Sequence, residues 1–184
     1  MTVAVFKRTK QLALAFFVFL SGCVTDEAGT ATPAAIGHPF QNEPTSFRNI
    51  EWGSRLNSAD KMTLLGSKQN TEMYVRATDK LNFGDAQLEY VHYDYYKGQF
   101  EGVYIKSKPG AMAAMVNTFQ AQFGRGAQAN QYIPSYLWEG PNAAIYLDCH
   151  QSTLTCEGFI SSVRVRAEKK ADDDAAARGA KHDF

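Results

Sequence analysis

Residues Asn82 to Lys108 read NFGDAQLEYVHYDYYKGQFEGVYIKSK, and this stretch decides the fold. Aromatic and β-branched side chains crowd Leu88 to Tyr96 and return from Phe100 to Ile105. Such residues suit the pleated, half-buried surface of a strand. Lys97-Gly98 stands between the two runs, and glycine accepts the positive φ that a two-residue turn demands. The stretch therefore predicts an antiparallel hairpin. Side chains along the first strand alternate between faces. Leu88, Tyr90, His92, Asp94 and Tyr96 fall on one face, and Glu89, Val91, Tyr93 and Tyr95 on the other.

Toward the C-terminus, Pro109-Gly110 opens a helical pattern over about 109–124. Met112, Met115, Val116, Phe119 and Phe123 recur at helical offsets and form one apolar stripe. Gly124 follows the last turn, where a helix commonly ends. Three strand patterns come next: SYLWEG, AAIYLDC and GFISSVRVRA. Toward the N-terminus, MYVRATD has strand character, Ile50 to Gly53 reads as a short strand, and Asn57 or Ser58 caps a short helical turn through Lys61. A single main helix among meandering strands predicts an α+β fold with a largely antiparallel sheet.

The folded unit is expected over 45–167. Residues 24–44, VTDEAGTATPAAIGHPFQNEP, are rich in Ala, Thr, Gly and Pro, and 23–44 reads as a flexible tether. The last stretch, EKKADDDAAARGAKHDF, reads as a charged, disordered tail over 168–184. Its acidic run Asp172 to Asp174 lacks ligands at a fixed turn spacing and is expected to be solvated.

The first 22 residues carry Lys7, Arg8 and Lys10, then an apolar run from Leu12 to Leu20. This is the layout of a secretory signal, at about half the ~20 apolar residues that a spanning helix needs. The run ends in Leu20-Ser21-Gly22-Cys23, which resembles the lipobox of bacterial lipoproteins at all four positions. The resemblance covers residues 1–23 alone. It implies cleavage before Cys23, a diacylglyceryl group on its sulfur, and usually a further acyl chain such as palmitate on the new amine. One acyl chain anchors only marginally and two or more hold firmly. By analogy with enteric lipoproteins, Val24 in place of Asp implies sorting to the outer membrane, with the domain facing the periplasm.

Removing residues 1–22 leaves 16 of the 19 basic residues against all 19 acidic ones, a net charge near −3. No basic stripe marks a nucleic-acid partner. In an oxidising compartment Cys149 and Cys156, seven positions apart in DCHQSTLTCEG, are expected to pair. The spacing is not that of a C-x-x-C redox motif, and His150 added to two thiols leaves a tetrahedral metal site incomplete. His38 and His182 fall in the expected tether and tail, and no zinc-binding His spacing occurs. Neither a G-x-S-x-G elbow nor a phosphate-binding glycine loop is present. The reading expects no metal, no cofactor and no local catalytic motif.

What remains is the tyrosine-rich strand. One helix covers only one face, so Tyr90, His92 and Tyr96 are expected either to contact a partner or to be ordinary half-buried sheet surface. The expected function is a membrane-anchored binding or accessory module for an envelope protein or a cell-wall glycan. The alternatives are an envelope hydrolase with a non-local active site and a spacer without a ligand of its own.

Overall fold

The structure is a computed structural model that describes residues 40–180. In chain order its elements are β1 (Ser46–Phe47), β2 (Ile50–Glu51), a 3₁₀ turn (Ser58–Asp60), β3 (Met62–Lys68), β4 (Thr71–Arg76), β5 (Asn82–Phe83) and β6 (Ala86–Tyr96). There follow β7 (Gln99–Ser107), α1 (Met112–Phe123), β8 (Ser135–Glu139), β9 (Ala143–His150), β10 (Thr155–Ser162) and α2 (Val163–Ala180).

The main sheet has the strand order β3-β4-β6-β7-β10-β9-β8, with β5 paired to β6, while β1 and β2 form their own ribbon. All its pairings are antiparallel, so the fold is α+β with an antiparallel sheet. Two meanders build it, one ending at β7 and one running from β8 to β10. The second folds back so that β10 lies between β7 and β9.

The β6–β7 hairpin closes at Lys97 (φ 49°) and Gly98 (φ 73°), with Tyr96 opposite Gln99. Two positive φ values in a two-residue loop match the twist of the flanking strands. Helix α1 buries Met115, Phe119 and Phe123 and ends at Gly124, whose φ is 84°. Phe119 is the hub, with ring centroids 5.0 Å from Phe83, 5.6 Å from Phe123 and 5.8 Å from Trp138. It sits on the sheet above Gly158, where a Cβ would stand only 3.2 Å from its ring.

The N-terminal ribbon covers the rest of this face. Phe47 meets Tyr93 edge-on at 6.0 Å, and Trp52 stacks on Phe100 at 5.2 Å. Asp79 gathers the hydroxyl of Tyr93 with Arg48 and Arg76, each 2.7–2.8 Å away, and so ties β1, β4 and β6 together.

Four expectations are corrected. The expected strand over GFISSVRVRA ends at Ser162, and the expected disordered tail 168–184 is helical through Ala180. Val163-Arg164-Val165-Arg166 imitates strand alternation, but the Ser162 hydroxyl accepts from the Val165 amide at 3.3 Å and starts a helix. Glu, Lys, Ala and Arg, all strong helix formers, then continue it. Residues 181–184 lie outside the described residues. The domain also starts before Thr45. Phe40 packs edge-on against Phe123 at 6.1 Å, and Glu43 accepts from the Asn142 and Ala143 amides at 2.6 and 2.8 Å. The remainder of the expected tether, 23–39, lies outside the described residues. Finally, β3 is a seven-residue strand where no strand was expected, because Leu64-Leu65-Gly66 breaks the alternation with a bulge.

Candidate functional site

Cys23 and the lipobox lie outside the described residues. Among the described ones, Cys149 and Cys156 stand directly opposite each other on β9 and β10 and form a disulfide. Both are buried on the α1 side, where the Cys156 sulfur lies 3.9 Å from the Met112 carbonyl.

The other face of the sheet is the candidate site. Register sets it out strand by strand. His92 on β6 is opposite Tyr104 on β7, Tyr104 opposite Phe159 on β10, Phe159 opposite Tyr146 on β9, and Tyr146 opposite Leu137 on β8. These five side chains form an apolar row across five strands. None is fully buried, and Tyr146 is 49% exposed. One step along the strands, a polar row of Tyr90, Lys106, Glu157, Asp148 and Ser135 runs beside it.

Of the three tyrosine-strand residues singled out by sequence, Tyr90 and His92 belong to this face. Their rings stack at 4.3 Å, 9° from parallel, and Tyr104 flanks Tyr90 at 6.0 Å. Burial lowers the pKa of His92, so the ring is held neutral more firmly than a free imidazole. Leu88, expected on the same face, lies instead in the core. Glu89 is an extra residue between the Leu88–Ser107 and Tyr90–Lys106 pairs, and this bulge switches the alternation.

Tyr96 does not join them, because α2 covers it. It is 2% exposed and donates to Asp172 at 2.6 Å. Lys97 pairs with the same carboxylate at 2.5 Å, Gln99 meets Glu168 at 3.0 Å, and Lys169 binds the buried Glu101 at 3.0 Å. Arg166 reaches over the Phe159 ring at 5.9 Å and toward the Ser161 hydroxyl. Beneath this helix Asp94 is raised to about 6, by burial first and by the neighbouring Glu101 second, with Lys169 opposing.

The polar row carries two carboxylates, Glu157 and Asp148, and one lysine. The Tyr104 hydroxyl donates to Glu157 and holds that carboxylate below its usual range, while burial and Glu157 raise the tyrosine. Lys106 lies 3.5 Å from Glu157 and 3.8 Å from Glu89.

At the β8 end the apolar row runs into a groove of about 370 Å³. Ala127, Ala129, Ile133, Tyr136, Leu137 and Tyr146 line it. Sequence reading missed this part, since its walls come from a loop and two strands. Exposed Tyr132 and Ile133 beside Pro134 were the available signal.

Among the described residues no cluster of three or more His, Cys, Asp or Glu side chains is placed to hold a metal ion, and no helix is long and apolar enough to cross a membrane. No protein family, curated protein or solved structure matches the chain.

Proposed function

We propose that the protein is a lipid-anchored binding module of a bacterial envelope, held at the outer membrane through Cys23 and engaging an envelope protein through the open face of its sheet. One observation carries the binding claim: a row of largely apolar side chains crosses five strands, and of the two helices only Arg166 of α2 reaches over it, at Phe159. Contiguous exposed apolar surface of this kind marks interaction sites. The lipobox resemblance and Val24 support the anchor and the address.

A protein partner suits the face better than a cell-wall glycan. Sugars pack on free aromatic ring faces, and here the Tyr90 ring is stacked on His92 at 4.3 Å, with the Lys106 ammonium 6.0 Å from its centroid. The row mixes aromatic rings with the aliphatic Leu137, a surface suited to the side chains of a protein.

Two measurements test the reading. Mass spectrometry of the membrane-extracted protein is expected to find Cys23 as the acylated N-terminus; an unmodified Cys23 overturns the anchor. A photo-crosslinking amino acid in place of Tyr104 or Tyr146 is expected to capture an envelope protein in cells, whereas one in place of Leu64 on β3 is not. Equal capture from all three positions, or none, overturns the assignment of the face.

A further inference from the structure

The groove at the β8 end narrows the partner's chemistry. Its shape is set by contacts already made in the chain. Ala127 and Leu137 exchange two backbone hydrogen bonds of 2.8 and 2.9 Å, which pin the loop to β8. The Gln128 amide donates to the Ile133 carbonyl at 3.1 Å, and the Tyr132 backbone N–H donates to the Asn130 side chain at 2.9 Å. The Ser135 and Tyr146 hydroxyls meet at 3.1 Å and fix one wall. A groove formed in advance spares an occupant the cost of ordering it. Its walls are almost wholly apolar, and two of them remain open to solvent, Ile133 by 52% and Tyr146 by 49%. Such a site takes an apolar group.

The charges beside it set the sign of what flanks that group. Asp148 follows Tyr146 by two residues on β9, and its half-buried carboxylate takes part in none of the ion pairs among the described residues. Glu157 stands opposite it on β10, with Glu89 farther along the same side, and Lys106 alone is shared between those two. Three carboxylates against one lysine leave this flank negative. Tyr146 and Asp148 are separated by about 7 Å along the strand, the distance at which an extended chain sets residues i and i+2.

We propose that the groove binds an extended, positively charged protein segment that inserts an apolar side chain between Leu137, Ile133 and Tyr146 and sets a lysine or arginine, two residues away, against Asp148. The proposal rests on the reading that this face receives a protein.

The test uses the full-length chain in nanodiscs of phosphatidylcholine, titrated calorimetrically against empty nanodiscs as blank. The probes are the peptides Lys-Thr-Phe-Thr-Lys and Glu-Thr-Phe-Thr-Glu, blocked at both ends, and a chitin tetrasaccharide. The lysine peptide is expected to bind and the other two are not. Asp148→Asn is expected to weaken it about two- to five-fold, the range of a partly exposed ion pair, and added salt to do the same. Leu137→Asp is expected to remove binding, as is Ile133→Asp, which sits on the exposed loop and leaves the sheet intact. Equal binding of the two peptides, binding of the sugar alone, or no binding of any probe overturns the proposal. If in-cell crosslinks from Tyr146 persist in that event, only the assigned chemistry fails. If they vanish as well, the assignment of the face fails with it.

Discussion

The two helices hold opposite faces of one sheet by opposite means. Helix α1 drives Met115, Phe119 and Phe123 into an aromatic core and makes its contacts through rings. Helix α2 buries Val165 fully and otherwise meets the sheet through polar and charged side chains, among them Lys169–Glu101, Asp172–Tyr96, Glu168–Gln99, Arg164–Gln99 and Arg166–Ser161. Apolar burial contributes stability in proportion to area, whereas ion pairs with a partly exposed partner contribute less and are screened by salt. The α1 face is therefore where the fold is held. The α2 face is where apolar surface is left uncovered.

The sharpest way to break this contrast is Phe119→Ala. Removing the hub ring is expected to cost about 3–5 kcal/mol, read as a lower urea midpoint. A loss below about 1 kcal/mol, the scale of a surface change, would erase the distinction between the faces. Next in size is the disulfide under the start of α1. Cys149→Ser with Cys156→Ser is expected to cost about 2–3 kcal/mol, since the bond closes a short loop. Because the sulfurs lie on the α1 side, crosslinking from Tyr146 is expected to persist in this variant at temperatures below its melting point.

Asp94 gives the third test, and its sign is the reverse. Its carboxyl is raised to about 6 when folded, against about 4 in an unfolded chain. Between those values the native state holds the proton and the unfolded state does not, so stability falls as pH rises through the window. Asp94→Asn is expected to raise stability at pH 7 by about 1–3 kcal/mol and to flatten the wild-type decline between about pH 4 and 6. Urea titrations of both proteins over that range decide it; parallel curves defeat the prediction. The smallest effect is expected from Asp172→Asn. Its partners Lys97 and Tyr96 are left in place, so the melting temperature should hardly move. Amide exchange along α2 should quicken, and added salt should quicken it in the wild type too.

Local pattern made much of this fold legible. The β6–β7 hairpin, the α1 stripe and the cysteine pair are each encoded within about two dozen residues, where turn chemistry and periodicity act directly. Lateral order is not local. Nothing in GFISSV says that it pairs with EGVYIK, yet that pairing sets Phe159 beside Tyr104 and builds the open row. The site was legible to the same extent: Tyr90 and His92 through alternation, but not Leu137, Tyr146 or Phe159, which reach the face from three other strands. Leu88 was misplaced by one inserted residue, Glu89, and Tyr96 by a helix whose first residues alternate like a strand.

The central place of β10 bears on how a growing chain becomes a protein. It is the last of the described strands in sequence, yet it fills the gap between β7 and β9. A chain that stops before Thr155 holds two partial sheets whose facing edges are both unpaired, and unpaired edges recruit other chains. Only when Thr155 to Ser162 arrives do Val103 and Ile145 gain Ile160 between them, and Ile105 its neighbour Gly158. These two edges therefore stay open during synthesis until β10 has been made. C-terminal truncations that remove β10 are expected to accumulate as aggregates, whereas those that remove only the second half of α2 stay soluble.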